Sequence, residues 1–440
     1  MQISLLTIGS RGDVQPYLAL AKGLQQAGHD VRLVTHELFR QFVTEHGVDF
    51  APLAGDPEAL LKSDVGQRMM CADSKLKAAR EYIKALDPIA IPCAQDALDG
   101  CRDAEVLLCA SSAYVYGEAL GEYLNVPLIH LSIYPLAPSR LQSGPLATPW
   151  PSWATKLDLL RGLWLHQKVI LDLQALVFRT QTNRFRQEVF GLPPRPRTFG
   201  LKTFSKQGHT WLYAYSSQIS PRPADWSPRQ HVTGWWFQDD APHWQPPTSL
   251  VEFLDNGPPP IYIGFGSMFT PDRERLAGCV IDALRQSGQR GVLAKGWGLL
   301  DPKNVPDNCY LLDTAPHDWL FPKMAAIIHH GGAGTTGAGA RAGVPNLAVP
   351  FAFDQPFWGR ALHTAGMAPP PIAAKQLTAD KLSTAMRTMI DDANMRRRAA
   401  VLGANIRAED GVQNAVDIIE RTLSAISGTN RRPQPVPIPG

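Results

Sequence analysis

The residues best suited to chemistry lie in one stretch, Ile327-Ile328-His329-His330-Gly331-Gly332-Ala333-Gly334-Thr335-Thr336-Gly337, and in the pair Asp354-Gln355 beyond it. Met324 to Ile328 is apolar, and short and branched enough for a buried strand. The chain then breaks into glycine, histidine and threonine and runs into small residues that can open a helix. A strand feeding a glycine-rich turn and a helix N-terminus makes an anion seat. Backbone N–H groups and the helix dipole converge there, and glycine lets a phosphate approach the main chain. The ligand this pattern predicts is a diphosphate. Gly264-Phe265-Gly266-Ser267 repeats it as a strand end with glycines and a hydroxyl, a second candidate phosphate contact. Far upstream, Asp13 follows the apolar run Ile3 to Ile8 and Gly9-Ser10-Arg11-Gly12. It falls at the carboxyl edge of a first strand, where open parallel sheets place their ligands. The plain alternative is that Asp13 caps the next helix.

These groups need a scaffold of alternating strands and helices, and the chain has the pattern for one. Pro16 suits a first helical turn, Tyr17 to Leu24 has helical spacing, Gly28 ends that helix, and Val31 to Thr35 is the next strand. Strands are predicted over 105–110 and 126–133, with a helix over 113–124 between them. Pro221 to Pro247 is rich in proline and tryptophan and reads as an interdomain connection. A second α/β pattern starts at Pro260, with a helix over 273–287, strands over 291–295, 309–312 and 345–351, and closing helices near 378–390 and 394–424. The tail from Arg431 is proline-rich.

The chain has 440 residues, which predicts two domains of roughly 200 residues each. Its 44% hydrophobic and 19% charged residues describe a globular protein, and a net charge of +3 gives no reason to expect nucleic acid. Six cysteines without a C-x-x-C pair or metal-ligand spacing read as reduced thiols of a cytoplasmic protein. No signal peptide or membrane span is expected. Between Pro149 and His209, ten Lys or Arg face only Asp158, Asp172 and Glu188, so this segment carries about +7 (10 − 3). Its tryptophans and leucines admit two readings. One is an apolar acceptor pocket or membrane-facing surface with a basic rim, and the other is a helical hairpin whose cations snorkel over the core.

Gly332-Ala333-Gly334-Thr335-Thr336-Gly337 also fits G-x-G-x-x-G, with Asp354 downstream as a ribose acid. That would make a nicotinamide or flavin site and an oxidoreductase. The match lies late in its domain, and the two histidines before it have no part in that fingerprint.

Together these pieces resemble the two-domain GT-B glycosyltransferases of family 1. They are similar in particular to sterol glucosyltransferases and to bacterial enzymes that glycosylate antibiotic aglycones. The resemblance rests on Gly9 to Pro16, Pro221-Arg222-Pro223, Val232-Thr233-Gly234, Gly264 to Met268, Pro316 to Phe321, His329 to Thr336 and Asp354-Gln355-Pro356, in the family's order along nearly the whole chain. It implies two Rossmann-like α/β domains facing across a cleft. The acceptor-binding domain would span 1–235, a linker 236–259 and the nucleotide-sugar domain 260–405. A helix at 406–428 would cross back to the first domain, and a tail would occupy 429–440.

The family's roles fall on matching positions. Asp13 would be the general base, removing the acceptor hydroxyl proton. Ser267, His329, Gly331, Gly332, Ala333, Gly334 and Thr335 would hold the donor diphosphate, Asp354 and Gln355 the donor sugar, and Ala315 and His317 the base and ribose. No metal and no cofactor beyond the nucleotide sugar are expected, because the chain has no D-x-D triplet. Many members have a histidine base where this chain has Asp13. Plant members stack uracil on a tryptophan where it has Thr314. The expected reaction is inverting transfer of a hexose, from UDP-glucose, to a hydroxyl of a sterol, hopanoid or polyketide, with peripheral membrane contact. The alternatives are rhamnosyl or deoxysugar transfer from a TDP donor, a sugar-nucleotide 2-epimerase and a non-catalytic binder.

Overall fold

Two parallel sheets carry the chain. The computed structural model describes residues 1–70, 81, 83–142, 144–145, 178–195, 208–239, 244–266, 272–295 and 305–429. Ser267, Cys71, most of the basic 149–209 segment and the tail from 430 lie outside the described residues.

The first sheet is built from β1 (Gln2–Leu6), β2 (Asp30–His36), β3 (Asp49–Leu53), β4 (Val106–Ala110), β5 (Leu128–Ser132), β6 (Thr210–Tyr213) and β7 (Gln230–Val232), in spatial order 3-2-1-4-5-6-7. The second holds β8 (Ile261–Gly264), β9 (Gly291–Ala294), β10 (Cys309–Leu312), β11 (Ala326–His329) and β12 (Asn346–Ala348), in order 10-9-8-11-12. Strands such as Val106-Leu107-Leu108-Cys109-Ala110 and Ala326-Ile327-Ile328 are continuously apolar because helices cover both faces of each sheet. In each sheet the strand order reverses at one place, between β1 and β4 in the first and between β8 and β11 in the second. Open parallel sheets leave a crevice at that reversal. Asp13 leaves the first reversal, and the two glycine-rich turns leave the second.

The strands predicted over 105–110, 291–295 and 309–312 lie where expected. Two elements differ from expectation. The passage read as connection contains β7, three residues that pair with β6 at the sheet edge. The single helix expected over 394–424 is two, Ala393–Arg407 and Gly411–Thr429, so the crossing helix starts at Gly411 and not at 406. Asp410 Oδ1 accepts the Gln413 N–H at 2.9 Å and caps the new helix. Gly411 packs against the Gly234 and Trp235 backbone, where a Cβ would collide.

The crossing helix buries Ala415, Val416, Ile419 and Leu423 in a core that continues through Trp235, Trp236 and Trp358 into both domains. Polar contacts reinforce the junction. Ser216 Oγ donates to Glu409 Oε1 at 2.6 Å, and Asn414 Nδ2 donates to the Thr233 carbonyl at 3.0 Å. Cys93, Cys101, Cys109, Cys279 and Cys309 are free thiols. Among the described residues, no helix is long and apolar enough to cross a membrane.

Three cations of the basic segment fall within the described residues with their partners. Arg184 pairs with Asp87, Arg186 (3% exposed) with Glu122, and Arg195 with Glu118. The charges of these three are spent on the first domain's own acids. These pairs argue against a basic rim at the three positions, and the burial of Arg186 and Arg195 is not snorkelling, which would keep the charged heads in water.

Candidate active site

In the first domain the turn after β1 folds Asp13 back on itself. Ser10 donates to Asp13 Oδ2 from its N–H at 2.9 Å and from Oγ at 3.1 Å, while Thr7 Oγ1 holds the Asp13 carbonyl at 2.6 Å. Gly9 has φ +136°, and a Cβ there would strike the Asp13 carboxyl. The helix that follows runs Gln15–Gln26 and takes no side-chain cap. Asp13 therefore does not serve as the cap of that helix. Both Ser10 hydrogen bonds thus fall on one carboxylate oxygen. Burial pushes the Asp13 carboxyl above its ordinary range, with the Ser10 hydrogen bonds opposing the shift.

In the second domain the register pairs His329 with Gly264 on one side and Ala348 on the other. His329 is fully buried, and its Nδ1 accepts the Gly331 N–H at 3.0 Å. Its proton is therefore on Nε2, which is buried with no hydrogen-bond partner. The ring that lies between the two glycine turns belongs to His330, which sequence reasoning did not single out. A Cβ on Gly266 would lie 3.1 Å from its Cε1, and one on Gly332 2.5 Å from its Nε2. Gly332 caps the helix Ala333–Ala342, whose first internal bond runs from Thr336 N–H to the Gly332 carbonyl at 2.9 Å. The N–H groups of Ala333, Gly334 and Thr335 therefore have no acceptor within the helix. Gly334 is exposed and a Cβ there would meet nothing, so the helix terminus is open.

Ala315 and His317 are half-buried beyond β10. The His317 ring stacks on Phe321 with centroids 4.2 Å apart. Burial lowers His317 to about 4, assisted by the nearby charges of His330 and of Arg11 in the other domain. Burial likewise lowers His329 to about 3 and His330 to about 4. All three imidazoles are neutral at pH 7. What this turn offers an anion is therefore its oriented N–H groups and the helix dipole, with no standing histidine charge.

Asp354 and Gln355 stand past β12 and behave differently. Gln355 is 4% exposed, and its Oε1 accepts the N–H groups of Phe351 at 2.8 Å and Ala352 at 3.1 Å. Its carbonyl thus braces the loop from inside. Asp354 is half-buried, with Oδ2 accepting Trp358 Nε1–H at 2.9 Å. Burial raises its carboxyl to about 7. The Trp358 bond opposes the shift and the charge of Asp13 adds to it. Trp358 is a second residue that sequence reasoning missed, although its place four positions after Asp354 on a helix was a usable signal. The structure thus brings Asp13 within electrostatic reach of Asp354, and Arg11 within reach of His317, across the domain boundary. Ser267 lies outside the described residues.

One group of metal-ligating side chains is close-set among the described residues: Glu118, His130 and His209, with ligand atoms within 4.8 Å of one another. His130 Nε2 lies 2.8 Å from Glu118 Oε1, and Arg195 lies 3.4 Å from Glu118 Oε2. The guanidinium balances that buried carboxylate, and the imidazole, whose pKa burial lowers, hydrogen-bonds to it.

Known proteins match this architecture. A family model described as the Glycosyltransferase family 28 N-terminal domain matches residues 3–116. Another, the Erythromycin biosynthesis protein CIII-like C-terminal domain, matches residues 297–421. The Arabidopsis thaliana sterol 3-beta-glucosyltransferase UGT80A2 is 35% identical over 99% of this chain and 68% of its own length. A sterol 3-beta-glucosyltransferase of Neosartorya fischeri is 34% identical over 96% of this chain but only 30% of its own length. Among solved structures, the glycotransferase of kitacinnamycin superposes with a TM-score of 0.69, at 18% identity over 96% of this chain and 99% of that one. The chain is thus a GT-B glycosyltransferase, a member of the family to which the sterol 3-beta-glucosyltransferases belong.

Proposed function

We propose that the protein transfers glucose from UDP-glucose to a hydroxyl of an apolar acceptor of the sterol, hopanoid or polyketide type, with inversion at the anomeric carbon. The observation that carries this reading is the placement of Asp13 at the first sheet's reversal, within the field of Asp354, which stands past β12 beside the second sheet's reversal. Asp13 Oδ1 takes the acceptor proton as the acceptor oxygen bonds to the anomeric carbon. The bond from that carbon to the phosphate oxygen breaks, and its electrons pass to the diphosphate. The N–H groups of Ala333, Gly334 and Thr335 and the dipole of their helix stabilise that charge. Asp354 accepts from sugar hydroxyls, and an α-linked donor gives a β-glycoside. The likeness to sterol glucosyltransferases supports the acceptor class, and an acceptor of that kind implies peripheral contact with a lipid surface.

The test is incubation with radiolabelled UDP-glucose and TDP-sugars against sterol, hopanoid and polyketide acceptors. A labelled β-glucoside formed from UDP-glucose supports the reading. Transfer from TDP-sugars alone replaces it with deoxysugar transfer, and label that returns only as an isomerised nucleotide sugar replaces it with epimerisation.

A further inference from the structure

Two residues other than glycine hold a positive φ among the described residues, Asn125 at 52° and Phe353 at 57°. Asn125 caps the end of the helix Tyr114–Leu124, a common use of asparagine. Phe353 has no such excuse. A Cβ-bearing aromatic is disfavoured in left-handed backbone, and phenylalanine has no polar atom to compensate.

The loop is pinned on both sides of it. Gln355 Oε1 takes the N–H groups of Phe351 and Ala352, the Gln355 N–H bonds to the Ala352 carbonyl at 3.3 Å, and Asp354 begins a helix through its carbonyl. The outcome is a ring that is 59% exposed, the most exposed large hydrophobic among the described residues. Backbone strain and an uncovered apolar ring both work against the fold, and they coincide one residue before Asp354. Strain of this kind persists where the surroundings over-determine it, and it concentrates at ligand clamps.

Phe353 has counterparts on the other domain. Leu38, two residues past β2, is 42% exposed, and Leu141, in the loop that leaves β5, is 55% exposed. Both lie at the carboxyl edge of the first sheet, the edge that carries Asp13. Uncovered apolar side chains therefore stand past the carboxyl ends of strands in both sheets, as Asp13 and Asp354 do.

We infer that Phe353 is a specificity-determining residue, its ring forming the second domain's apolar wall for the ring system of the acceptor whose hydroxyl Asp13 deprotonates. This rests on the apolar-acceptor reading above. The loop holds the ring out in advance, so acceptor binding need not order it. Donor recognition uses other groups, namely the helix N-terminus and the Asp354 carboxyl.

The test compares Phe353→Gly and Phe353→Leu with the wild type, on an acceptor the wild type glycosylates. Glycine relieves the backbone, so its melting temperature should equal or exceed that of the wild type. Its acceptor KM should rise about tenfold or more, as loss of an aromatic packing face predicts. UDP affinity by calorimetry should stay within about twofold, and leucine should fall between glycine and wild type in acceptor KM. An unchanged acceptor KM in Phe353→Gly overturns the inference, as does a rise confined to donor KM. A marked fall in melting temperature overturns it too, because the ring would then be structural. If the wild type glycosylates only polar acceptors, the inference and the apolar-acceptor reading fall together. If it glycosylates a sterol and the glycine variant does so equally well, the inference falls alone.

Discussion

Asp13 and Asp354 belong to different domains, yet the charge of Asp13 raises the proton affinity of Asp354. Each stands past the carboxyl end of a strand at or beside the point where its sheet's order reverses. Two acids in one field titrate as a pair, and the repulsion acts on both. The proposed base, which must be charged, and the proposed sugar clamp, which resists being charged, can therefore work side by side at neutral pH.

Asp13→Asn keeps the size and the Ser10 contacts of the side chain but removes the base. The turnover number should fall by about 10²–10⁴-fold, the usual worth of a positioned general base. UDP affinity by calorimetry should stay near that of the wild type, because the proposed diphosphate seat lies in the other domain. Turnover at the wild-type level would remove Asp13 from the mechanism.

The acid limb of the pH–rate profile should lie above the ordinary carboxylate range, because burial raises Asp13. Activity should rise with pH as Asp13 loses its proton. Asp354→Asn removes the neighbouring charge, so the limb should move to lower pH even as donor KM rises. Stability carries the opposite sign. Asp354 is raised to about 7 in the fold, so its favourable contribution is complete below the unfolded pKa and is lost as pH rises through about 7. Asp354→Asn should therefore gain melting temperature over wild type at pH 8 and not at pH 5. Paired thermal scans at the two pH values measure this.

Much of the site was legible because glycine, histidine and acid fall where apolar runs stop, and strand ends are where parallel sheets bind. Asp13 and the 329–337 turn needed no more than that. The division of labour inside the turn was not legible. His329 is the last residue of β11 and is buried by neighbours on both sides, whereas His330, one position later, lies between the two glycine turns. Only pairing between strands decides which is which. Gln355 reads as a sugar ligand by type, but its carbonyl is used within its own loop. In the fold, β7 escaped notice because three residues among prolines and tryptophans have no measurable period. The break at 408–410 escaped because an Asp-Gly pair inside a helical pattern signals a stop only once Gly411 is seen against Trp235.

Trp358 links Asp354, the proposed sugar clamp, to the domain junction. Its indole donates to Asp354 Oδ2, and its ring is fully buried beside Tyr215 at 5.7 Å and Trp235 at 6.1 Å. Trp358→Phe keeps most of the packing and deletes the donor. Losing a hydrogen bond to a carboxyl that is largely neutral is worth about 0.5–1.5 kcal/mol, so donor KM should rise roughly two- to tenfold. Trp235→Phe is the control, because the Trp235 indole N–H has no partner to lose. Equal effects from the two variants would make Trp358 a packing residue only.

Excess EDTA should leave turnover intact. The proposed diphosphate seat offers backbone N–H groups and a helix terminus, which stabilise phosphate charge without a cation. Titration of UDP in EDTA and in magnesium should give affinities within about threefold, since no carboxylate pair is assigned to bridge a metal to the phosphates. Loss of turnover in EDTA, restored by a divalent ion, would refute the metal-free reading.

Gly23 lies in the last turn of the helix Gln15–Gln26, directly beneath the crossing helix. Replacing a helical glycine by alanine normally stabilises by about 1 kcal/mol. Here a Cβ would collide with Val412 Cγ1 and lie 3.4 Å from Val416 Cγ2. Valine is stiff about χ1 and cannot swing aside freely. The net effect of Gly23→Ala should therefore be destabilising, by about 1–3 kcal/mol, as for other overpacked contacts. Val412→Ala opens the space, so the double variant should recover most of the loss, a coupling that a double-mutant cycle in denaturant isolates. Simple additivity would mean that the helices do not meet at this point. The same cycle measured on kcat reports whether the seating of the crossing helix governs domain closure. If it does, Gly23→Ala should slow turnover and Val412→Ala should restore it, with UDP affinity unchanged in all three variants.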